Sequence, residues 1–394
     1  MEITPDVRLA AKVLNTPFLL LDLDILKSNY RKLLGIIPNL EIFYAVKANS
    51  HIRVLETLRD AGSSFDLASI GEIRKLLSLG VDPQRMSFGN TIKREEDIRF
   101  AFDHGIDYYA IDAEMEVEKV ARNAPGSKVY ARLHMSSTDS DWPLSKKFGT
   151  DIDHVQSILT YSKTLGLVPY GVSFHVGSQT YNKFKWKEAI MEVAEIFHSL
   201  KENHGIELSM INLGGGMPIR HVRPIPTVDE IGTIISDSIA NYFQDVPNLR
   251  IFIEPGRSMV GDTGTFVASV LLRSHKQTEE WVYIDAGVFH GLMETIEDFR
   301  YEIVVEGREE EDTKIFTLAG PTCDSVDKMY DEVSLPQNTT LGDIMYIKNT
   351  GAYTAEYGSY FNGIEPPKVY VLQDIMPQLE EAREREGQPT DTDS

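Results

Sequence analysis

The strongest constraint on the fold of this chain is an alternation of short apolar runs with amphipathic segments, from about residue 17 to residue 260. The runs are FLLLDLD, EIFYAVKA, SSFDLAS, RMSFGN, DYYAID, KVYARLH, VPYGVSFHVGS, LSMINLGGG and LRIFIEPG. Between them lie segments such as IRVLETLRDAG and GEIRKLLSLG, in which apolar residues recur every three or four positions and a glycine closes the segment. This pattern is typical of buried parallel strands joined by helices.

The number of runs favours a closed barrel. About eight strands follow the first run, and the segment 17–262 has the length of a (β/α)8 barrel, roughly 250 residues. An open doubly wound sheet remains the alternative, because the alternation alone does not distinguish the two architectures.

The pattern changes in the segment 263–377. Here GTFVASVLLRS, WVYIDAG, KIFTLAG, DIMYIKN and KVYVLQ read as strands without long helices between them. We predict a second, mostly antiparallel β domain in this part of the chain. The tail, 378–394, begins as a charged helical segment, and we expect its last ten or so residues to be disordered.

Composition narrows the class of protein. A single cysteine among 394 residues cannot form an internal disulfide, which fits a reducing compartment. The first residues lack the features of a signal peptide, and no apolar run reaches the ~20 residues of a membrane span, so we expect a cytoplasmic protein. The net charge of −21 argues against binding to nucleic acid.

Polar residues follow several of the predicted barrel strands. Active sites of such barrels lie at the carboxyl ends of the strands, so these residues are the candidates for chemistry. They are Lys47, Asp66, Arg132, His175, Ser178, Gly214, Gly215, Gly216, Glu254 and Arg257.

Together these residue types fit pyridoxal phosphate (PLP). A lysine in a pocket binds an aldehyde covalently, glycines and an arginine hold a phosphate, an acid faces a ring nitrogen, and a histidine stacks on a ring. Singly, each signal has an ordinary structural reading. A lysine after a strand is commonly a solvated charge, and LGGGMP by itself is commonly a tight turn.

The motifs FYAVKAN, SSFDLAS, WPLSKKFG, SFHVGSQ, NLGGGMP, EPGR, GPTCDSVD and GAYTAEYGSYFNG occur in this order. With them the chain closely resembles the ornithine decarboxylase family of fold-type III PLP enzymes, most strongly the bacterial members, over about residues 17–372. The resemblance implies an alanine-racemase-like barrel with a β domain that also takes residues 1–16.

The resemblance assigns roles to individual residues. Lys47 should hold the cofactor covalently, and Glu254 should pair with its ring nitrogen. His175 should stack on the ring and is counted with the catalytic residues. Phosphate contacts are expected from Ser178, Gly215, Gly216, Gly256, Arg257 and Tyr353. Supporting roles near the lysine and the ring fall to Asp66, Glu72 and Arg132.

In the family the GPTCD cysteine protonates the α-carbon, and the aspartate after it binds the distal amine of the substrate. Cys323 and Asp324 match these positions, on a loop that reaches into the active site of the other subunit of a homodimer. The family supplies a second acid for the distal amine from the segment that here reads ETIEDFRYE: counting from Gly287 favours Asp298, and a one-residue gap would select Glu297.

Two further expectations concern the substrate and the subunits. Phe361 should lie near the cofactor or substrate. Lys147 and Asp327 match a family pair that bridges the subunits. The alternative is that both are simply solvent-exposed charged residues.

The implied reaction is decarboxylation of L-ornithine to putrescine, in polyamine biosynthesis, with PLP and without a metal. A lysine or dual lysine/ornithine decarboxylase is the main alternative. Diaminopimelate decarboxylase usually has Cys-Glu-Ser where this chain has Cys323-Asp324-Ser325, and alanine racemase usually has an arginine where this chain has Glu254. A non-catalytic family regulator is the alternative from another class of protein.

Overall fold

The structure is a computed structural model, and it describes residues 2–135, 140–142 and 147–387. The strands are β1 (Phe18–Leu21), β2 (Leu40–Ala45), β3 (Ser64–Leu67), β4 (Met86–Phe88), β5 (Tyr108–Ile111), β6 (Lys128–Arg132), β7 (Ser140–Trp142), β8 (Val168–Ser173), β9 (Ser178–Thr180), β10 (Met210–Asn212), β11 (Arg250–Ile253), β12 (Gly264–Lys276), β13 (Glu279–Ile284), β14 (Ile303–Val305), β15 (Thr313–Ala319), β16 (Lys328–Pro336), β17 (Ile344–Lys348) and β18 (Lys368–Val371).

The helices are α1 (Pro5–Val13), α2 (Leu23–Leu34), α3 (Ile52–Ala61), α4 (Ile70–Ser78), α5 (Glu95–Asp103), α6 (Glu114–Asn123), α7 (Ile152–Thr164), α8 (Lys185–His204), α9 (Val228–Tyr242), α10 (Arg257–Val260) and α11 (Leu372–Gly387). None of the helices in these described ranges combines the length and the apolar character needed to cross a membrane.

The chain forms two compact units. The barrel unit consists of Lys27–Ile219 and Pro224–Met259. The β unit consists of the residues up to Leu26, the short stretch Arg220–Arg223 and the residues from Val260 onward.

The barrel unit contains a closed barrel of eight parallel strands, in the order β2-β3-β4-β5-β6-β8-β10-β11. This confirms the predicted (β/α)8 barrel and excludes the open sheet. Its strands are nearly continuous buried runs, as expected for parallel strands covered on both sides. Large side chains form one cluster there: Phe43, Tyr108, Tyr130, Met210 and Phe252.

Helix boundaries in this unit follow the capping residues visible in the sequence. Ser69 and Thr227 cap α4 and α9, and Glu230 completes a capping box with Thr227. At the other end of α3, Gly62 has φ 94°, a left-handed conformation that glycine adopts without steric cost. These caps therefore fix the helix boundaries.

The β unit is built on an eight-stranded sheet with the path β14-β17-β12-β13-β15-β16. Strand β1 pairs antiparallel with β12 and parallel with β18. A core of Val7, Phe18, Val267, Tyr346 and Leu379 joins α1 and α11 to this sheet. The predicted β domain is therefore present, and its sheet is mixed, with parallel pairs beside antiparallel ones.

The expected barrel start at residue 17 needs a correction. Strand Phe18–Leu21 reads like a barrel strand because all four of its side chains are buried. It lies instead between two strands of the β unit, and pairing on both edges explains why it is apolar throughout. The charged segment after residue 377 continues α11 as far as Gly387. Residues 388–394, for which we predicted disorder, lie outside the described residues.

Candidate active site

Lys47 follows the first barrel strand, in a short 3₁₀ turn, Val46–Ala48, at the carboxyl end of β2. The strand carries the lysine backbone to the rim of the barrel, while about half of its side chain (51%) stays exposed. Its Nζ lies 3.6 Å from Asp66 Oδ2, at the end of the neighbouring strand β3. The barrel therefore places an amine beside a carboxylate at its catalytic rim.

Asp66 is buried, with 4% of its surface exposed. Burial raises the pKa of this carboxyl, and the positive charges of Lys47 and Arg132 oppose that rise. Its Oδ1 atom has no hydrogen-bond partner among the described residues. A Cβ atom at Gly89 would lie only 1.8 Å from this oxygen, so a glycine is needed here. The sequence reasoning missed Gly89, although it directly follows the apolar run that forms β4.

Glu254 follows β11 and is partly buried. The Nδ2 group of Asn212, at the end of β10, donates to Glu254 Oε1 at 2.5 Å. The backbone N–H of Gly214 donates to Asn212 Oδ1 at 2.9 Å and so orients this amide. Burial, with the nearby negative charge of Asp66, raises the pKa of Glu254 to about 7. Asn212 was not predicted, and its signal is a buried polar residue ending a barrel strand.

His175 follows β8, and its Nδ1 accepts a hydrogen bond from the backbone N–H of Gly177 at 3.0 Å. An accepting Nδ1 carries no proton, so the ring is neutral with its proton on Nε2. Burial and the charges of Arg132 and Lys47 lower the pKa of His175 well below its usual range. A neutral imidazole suits stacking on an aromatic ring.

The glycine turn after β10 brings backbone close to this histidine. A Cβ atom at Gly215 would lie 3.2 Å from His175 Nε2 and 2.7 Å from the backbone oxygen of Glu254. At Gly216, φ is 100° and a Cβ atom would lie 2.3 Å from the oxygen of Gly177. A side chain at either position would collide with a backbone oxygen, so the glycines allow this turn to approach the segments after β8 and β11 closely.

The remaining predicted barrel residues lie on the same set of strand ends. Arg257 is buried at the start of α10, directly after Gly256, and Ser178 begins β9. Arg132 ends β6, with its guanidinium 5.4 Å from the centre of the Phe148 ring. Glu72 accepts from the backbone N–H of Ala68 at 2.6 Å, so its carboxylate helps to cap α4.

In the β unit, Cys323 and Asp324 are both exposed. The backbone N–H of Cys323 donates to Asn362 Oδ1 at 2.9 Å. Asp324 Oδ1 accepts from the N–H of Val326 at 2.9 Å, a local turn that leaves the other carboxylate oxygen outside this bond. The loop thus presents a thiol and a carboxylate side by side.

Two aromatic residues of the β unit also carry predicted roles. Tyr353 has φ 56°, a left-handed conformation that is uncommon for a bulky residue and concentrates at functional sites. The ring of Phe361 packs 4.4 Å from that of Phe289 and remains 38% exposed. Neither residue is a plain core side chain.

Both candidates for the second acid are exposed, which the sequence could not establish. Asp298 ends a 3₁₀ turn with φ 60°, and its Oδ1 lies 2.6 Å from Arg300 Nη2. Glu297 is exposed on the same turn. The buried acid of this segment is Glu294, which accepts from the hydroxyl of Tyr301 at 3.0 Å.

The predicted pair between subunits involves residues with different surroundings. Lys147 is exposed, with its Nζ 5.1 Å from the centre of the Phe148 ring. Asp327 is 3% exposed and already binds two backbone N–H groups. The pairing of Lys147 with Asp327 of a second subunit stays a prediction.

Comparison with known proteins gives the family of this arrangement. Residues 23–261 match the pyridoxal binding domain of the pyridoxal-dependent decarboxylases. Lysine/ornithine decarboxylase of Selenomonas ruminantium is 30% identical over 374 residues, covering 94% of this chain and 93% of the relative. Ornithine decarboxylase of Schizosaccharomyces pombe is 32% identical over 368 residues, covering 88% and 82%.

Structural comparison agrees. A crystal structure of a mutant of SrLDC in complex with PLP matches with a TM-score of 0.89 at 28% identity, covering 98% of this chain and 99% of that one. A relative with a different name, antizyme inhibitor 2 of Xenopus laevis, is 29% identical over 370 residues, covering 90% and 80%.

The chain therefore belongs to the family of pyridoxal-dependent decarboxylases. Its fold is the fold-type III arrangement of a (β/α)8 barrel with a β domain. It is a carboxy-lyase that uses PLP and acts on a basic amino acid.

The residues at the barrel rim fit this cofactor. PLP has an aldehyde, a basic ring nitrogen and a phosphate, and the barrel unit provides, in the same order, a half-exposed amine, a carboxyl group, and a glycine-rich turn together with a buried arginine. Asp66 adds a further acceptor: its Oδ2 lies 3.6 Å from Lys47 Nζ, and its Oδ1 has no hydrogen-bond partner among the described residues. These residues therefore match the aldehyde, the ring nitrogen and the phosphate of the cofactor.

Proposed function

We propose that the enzyme decarboxylates L-ornithine to putrescine, as a step of polyamine biosynthesis in the cytoplasm. The observation that carries this proposal is the loop that presents Cys323 and Asp324 together. A carboxylate next to the proton donor suits a substrate whose distal group is an amine. A distal carboxylate, as in diaminopimelate, would be repelled by Asp324.

PLP, when bound, withdraws the electron pair that remains on the α-carbon after CO2 leaves. The chain provides the surroundings for this step. Lys47 would hold the cofactor covalently through its side-chain amine. Glu254, ionised, stabilises a proton on the ring nitrogen, and Asn212 keeps the carboxylate oriented. Asp66 lies beside the Lys47 side chain, with Oδ2 at 3.6 Å from Nζ, and would help to orient it.

His175 contributes by stacking rather than by proton transfer. Its lowered pKa keeps the ring neutral, so it adds no positive charge against the face of the cofactor. The glycine turn, with Ser178, Gly256 and Arg257, holds the phosphate. Arg132 and Glu72 act as supporting residues for this set.

Cys323 completes the reaction by returning a proton to the α-carbon. Asp324 binds the distal ammonium of the substrate, and Phe361 packs against the aliphatic chain. For the second carboxylate we retain Asp298 and Glu297, of which Asp298 already has a cationic neighbour in Arg300. A residue paired with an arginine is less available to a substrate amine, which favours Glu297.

We further propose that the enzyme is a homodimer with shared active sites. Exposed apolar residues surround the loop that carries Cys323, namely Val326, Tyr360 and Phe361. Contiguous exposed apolar surface marks sites of protein association. Sedimentation of the protein as a monomer at assay concentrations would contradict this arrangement.

Lysine is the main competing substrate, because it differs from ornithine by one methylene, worth only about 1–3 kcal/mol of discrimination. The relative from S. ruminantium is named for both activities. A non-catalytic role is disfavoured because Lys47, His175, Glu254 and Cys323 are all present.

The test is CO2 release by the purified protein with PLP, measured in parallel with ornithine, lysine, arginine and diaminopimelate. We expect the highest kcat/KM with ornithine, and a loss of at least about tenfold in Asp324→Ala, since a charged hydrogen bond contributes roughly 1.5–3 kcal/mol. The exposed Asp331 provides a matched Asp331→Ala control. A preference for any of the other three amino acids would contradict the proposal.

A further inference from the structure

Asp327 is a buried carboxylate that joins two loops of the β unit. Its Oδ1 accepts from the backbone N–H of Val288 at 2.8 Å, and its Oδ2 accepts from the N–H of Thr322 at 2.9 Å. Thr322 directly precedes Cys323, whereas Val288 lies 39 residues before Asp327. One side chain therefore connects the cysteine loop to a distant turn.

Two glycines make room for this carboxylate. A Cβ atom at Gly287 would lie 2.0 Å from Asp327 Oδ1, and a Cβ atom at Gly320 would lie 2.3 Å from the same oxygen. The close approach of the carboxylate, rather than an unusual backbone angle, is the reason for glycine at both positions. Gly287 and Gly320 lie far apart in the sequence, so only the fold shows that both border the same carboxylate.

The backbone of the cysteine loop is fixed at further points. The N–H of Gly320 donates to the backbone oxygen of Asp327 at 2.8 Å. The N–H of Asp327 donates to the oxygen of Asp324 at 3.1 Å. On the other side, Asn362 holds the N–H of Cys323. The loop is held through its backbone, which leaves the thiol and the Asp324 carboxylate exposed.

A buried carboxylate usually needs a cation or several hydrogen-bond donors. Within the described part of the chain, no lysine or arginine forms an ion pair with Asp327, and the two backbone N–H groups are the donors that its own chain provides. Hydrogen bonds to an ionised carboxylate are among the stronger ones in proteins. The two bonds fix the backbone of both loops, and they are compatible with the predicted pairing of Asp327 with Lys147 of a second subunit.

We propose that Asp327 is a positioning residue: its carboxylate fixes the Cys323–Asp324 loop to residues 287–290, and Gly287 and Gly320 are required to admit it. The geometry of this contact stands on the β unit alone. Its consequence for turnover rests on the proposed function, because it depends on Cys323 delivering a proton to the substrate.

The first test is hydrogen exchange of the Thr322 and Val288 amides in the full-length protein. Asp327→Asn replaces one accepting oxygen by an NH2 group that faces a backbone N–H. We expect exchange at the two amides to accelerate by about tenfold or more. Asp331→Asn, which alters an exposed aspartate of the same unit, should leave both amides unchanged. Unchanged exchange in Asp327→Asn would overturn the proposal.

A second variant reaches the same contact from the other side. In Gly320→Ala the new methyl group displaces the Asp327 carboxylate, so exchange should accelerate as in Asp327→Asn. In an Asp327→Ala background the methyl group meets no carboxylate, so Gly320→Ala should add little. Equal effects of Gly320→Ala in both backgrounds would show that the carboxylate is not the cause.

Turnover separates the two proposals. Asp327→Asn should lower kcat for ornithine severalfold while the affinity for PLP is unchanged, since the substitution touches no cofactor-binding residue. An accelerated exchange with unchanged kcat would overturn the positioning role. An accelerated exchange in a protein whose wild type releases no CO2 from ornithine would leave the loop contact in place and overturn the proposed substrate.

Discussion

At the scale of single residues, the surroundings of Glu254 determine the pKa of its carboxyl group. Its side chain is partly buried, Asn212 holds one oxygen, and Asp66 lies close enough to disfavour a second negative charge. Burial and the charge of Asp66 raise the pKa of Glu254 to about 7, although the hydrogen bond from Asn212 lowers it, and a protonated ring nitrogen nearby would favour the ionised form again. The ionised form of Glu254 is therefore unfavourable in the cofactor-free protein and becomes favourable once the cofactor is bound.

This raised pKa predicts a dependence of stability on pH in the cofactor-free protein. Between about pH 4.5 and 7 the folded state binds a proton at Glu254 that the unfolded state has lost. The free energy of unfolding should therefore fall as pH rises through this range, by at most about 3 kcal/mol from this group. Urea unfolding at pH 5 and pH 7.5 measures the effect.

Glu254→Gln is the matched comparison, since it keeps the shape and removes the titration. We expect the apo variant to lose less stability than the wild type between the two pH values. Identical losses in both proteins would mean that Glu254 titrates normally in the folded state.

The pairing of Lys47 with Asp66 was predictable because both residues end neighbouring parallel strands, and such ends meet at one edge of the barrel. The contact of Asp66 with Gly89 was not, because it depends on the distance between the ends of β3 and β4. The second acid illustrates the same limit. A sequence pattern leaves Asp298 and Glu297 equivalent, whereas the turn that carries them exposes both and buries Glu294.

At the scale of elements, the turn between β10 and α9 sets the distance between the glycines and His175. We expect Gly215→Ala to weaken PLP binding by about tenfold and to lower stability by roughly 1–3 kcal/mol, because the methyl group meets the Glu254 backbone. A fluorescence titration with PLP and urea unfolding measure both effects.

Gly35→Ala is the control for this turn, since its nearest atoms would be 3.6 Å from the added Cβ, an ordinary contact. It should bind PLP like the wild type. If Gly215→Ala also binds PLP with unchanged affinity, the turn does not line the cofactor site.

At the scale of the whole molecule, the sequence pattern predicted a barrel and a β domain but not their boundary. Buried parallel and buried mixed strands have the same apolar composition, so β1 could not be assigned without its partners. The interruption of the barrel unit by Arg220–Arg223 has no sequence signal either. Periodicity identifies elements, whereas pairing between distant segments decides which unit they join.

Two lysines of the barrel unit have unusual surroundings, and they differ in one decisive respect. Burial lowers the pKa of Lys93 to about 8, but its side chain is fully enclosed and its Nζ donates to the oxygens of Asn90 and Ala110. Lys47 is half-exposed beside Asp66. An amine that must receive a cofactor needs access, so the structure favours Lys47 over Lys93.

The most direct measurement is therefore to locate the lysine that holds PLP. Borohydride reduction of the holoenzyme makes the attachment permanent, and mass spectrometry of the peptides identifies the modified residue. We predict a single modified peptide, the one that contains Lys47, and none from Lys47→Ala protein treated in the same way. Modification of Lys93 or of another lysine in the wild type, with Lys47 unmodified, would contradict the account.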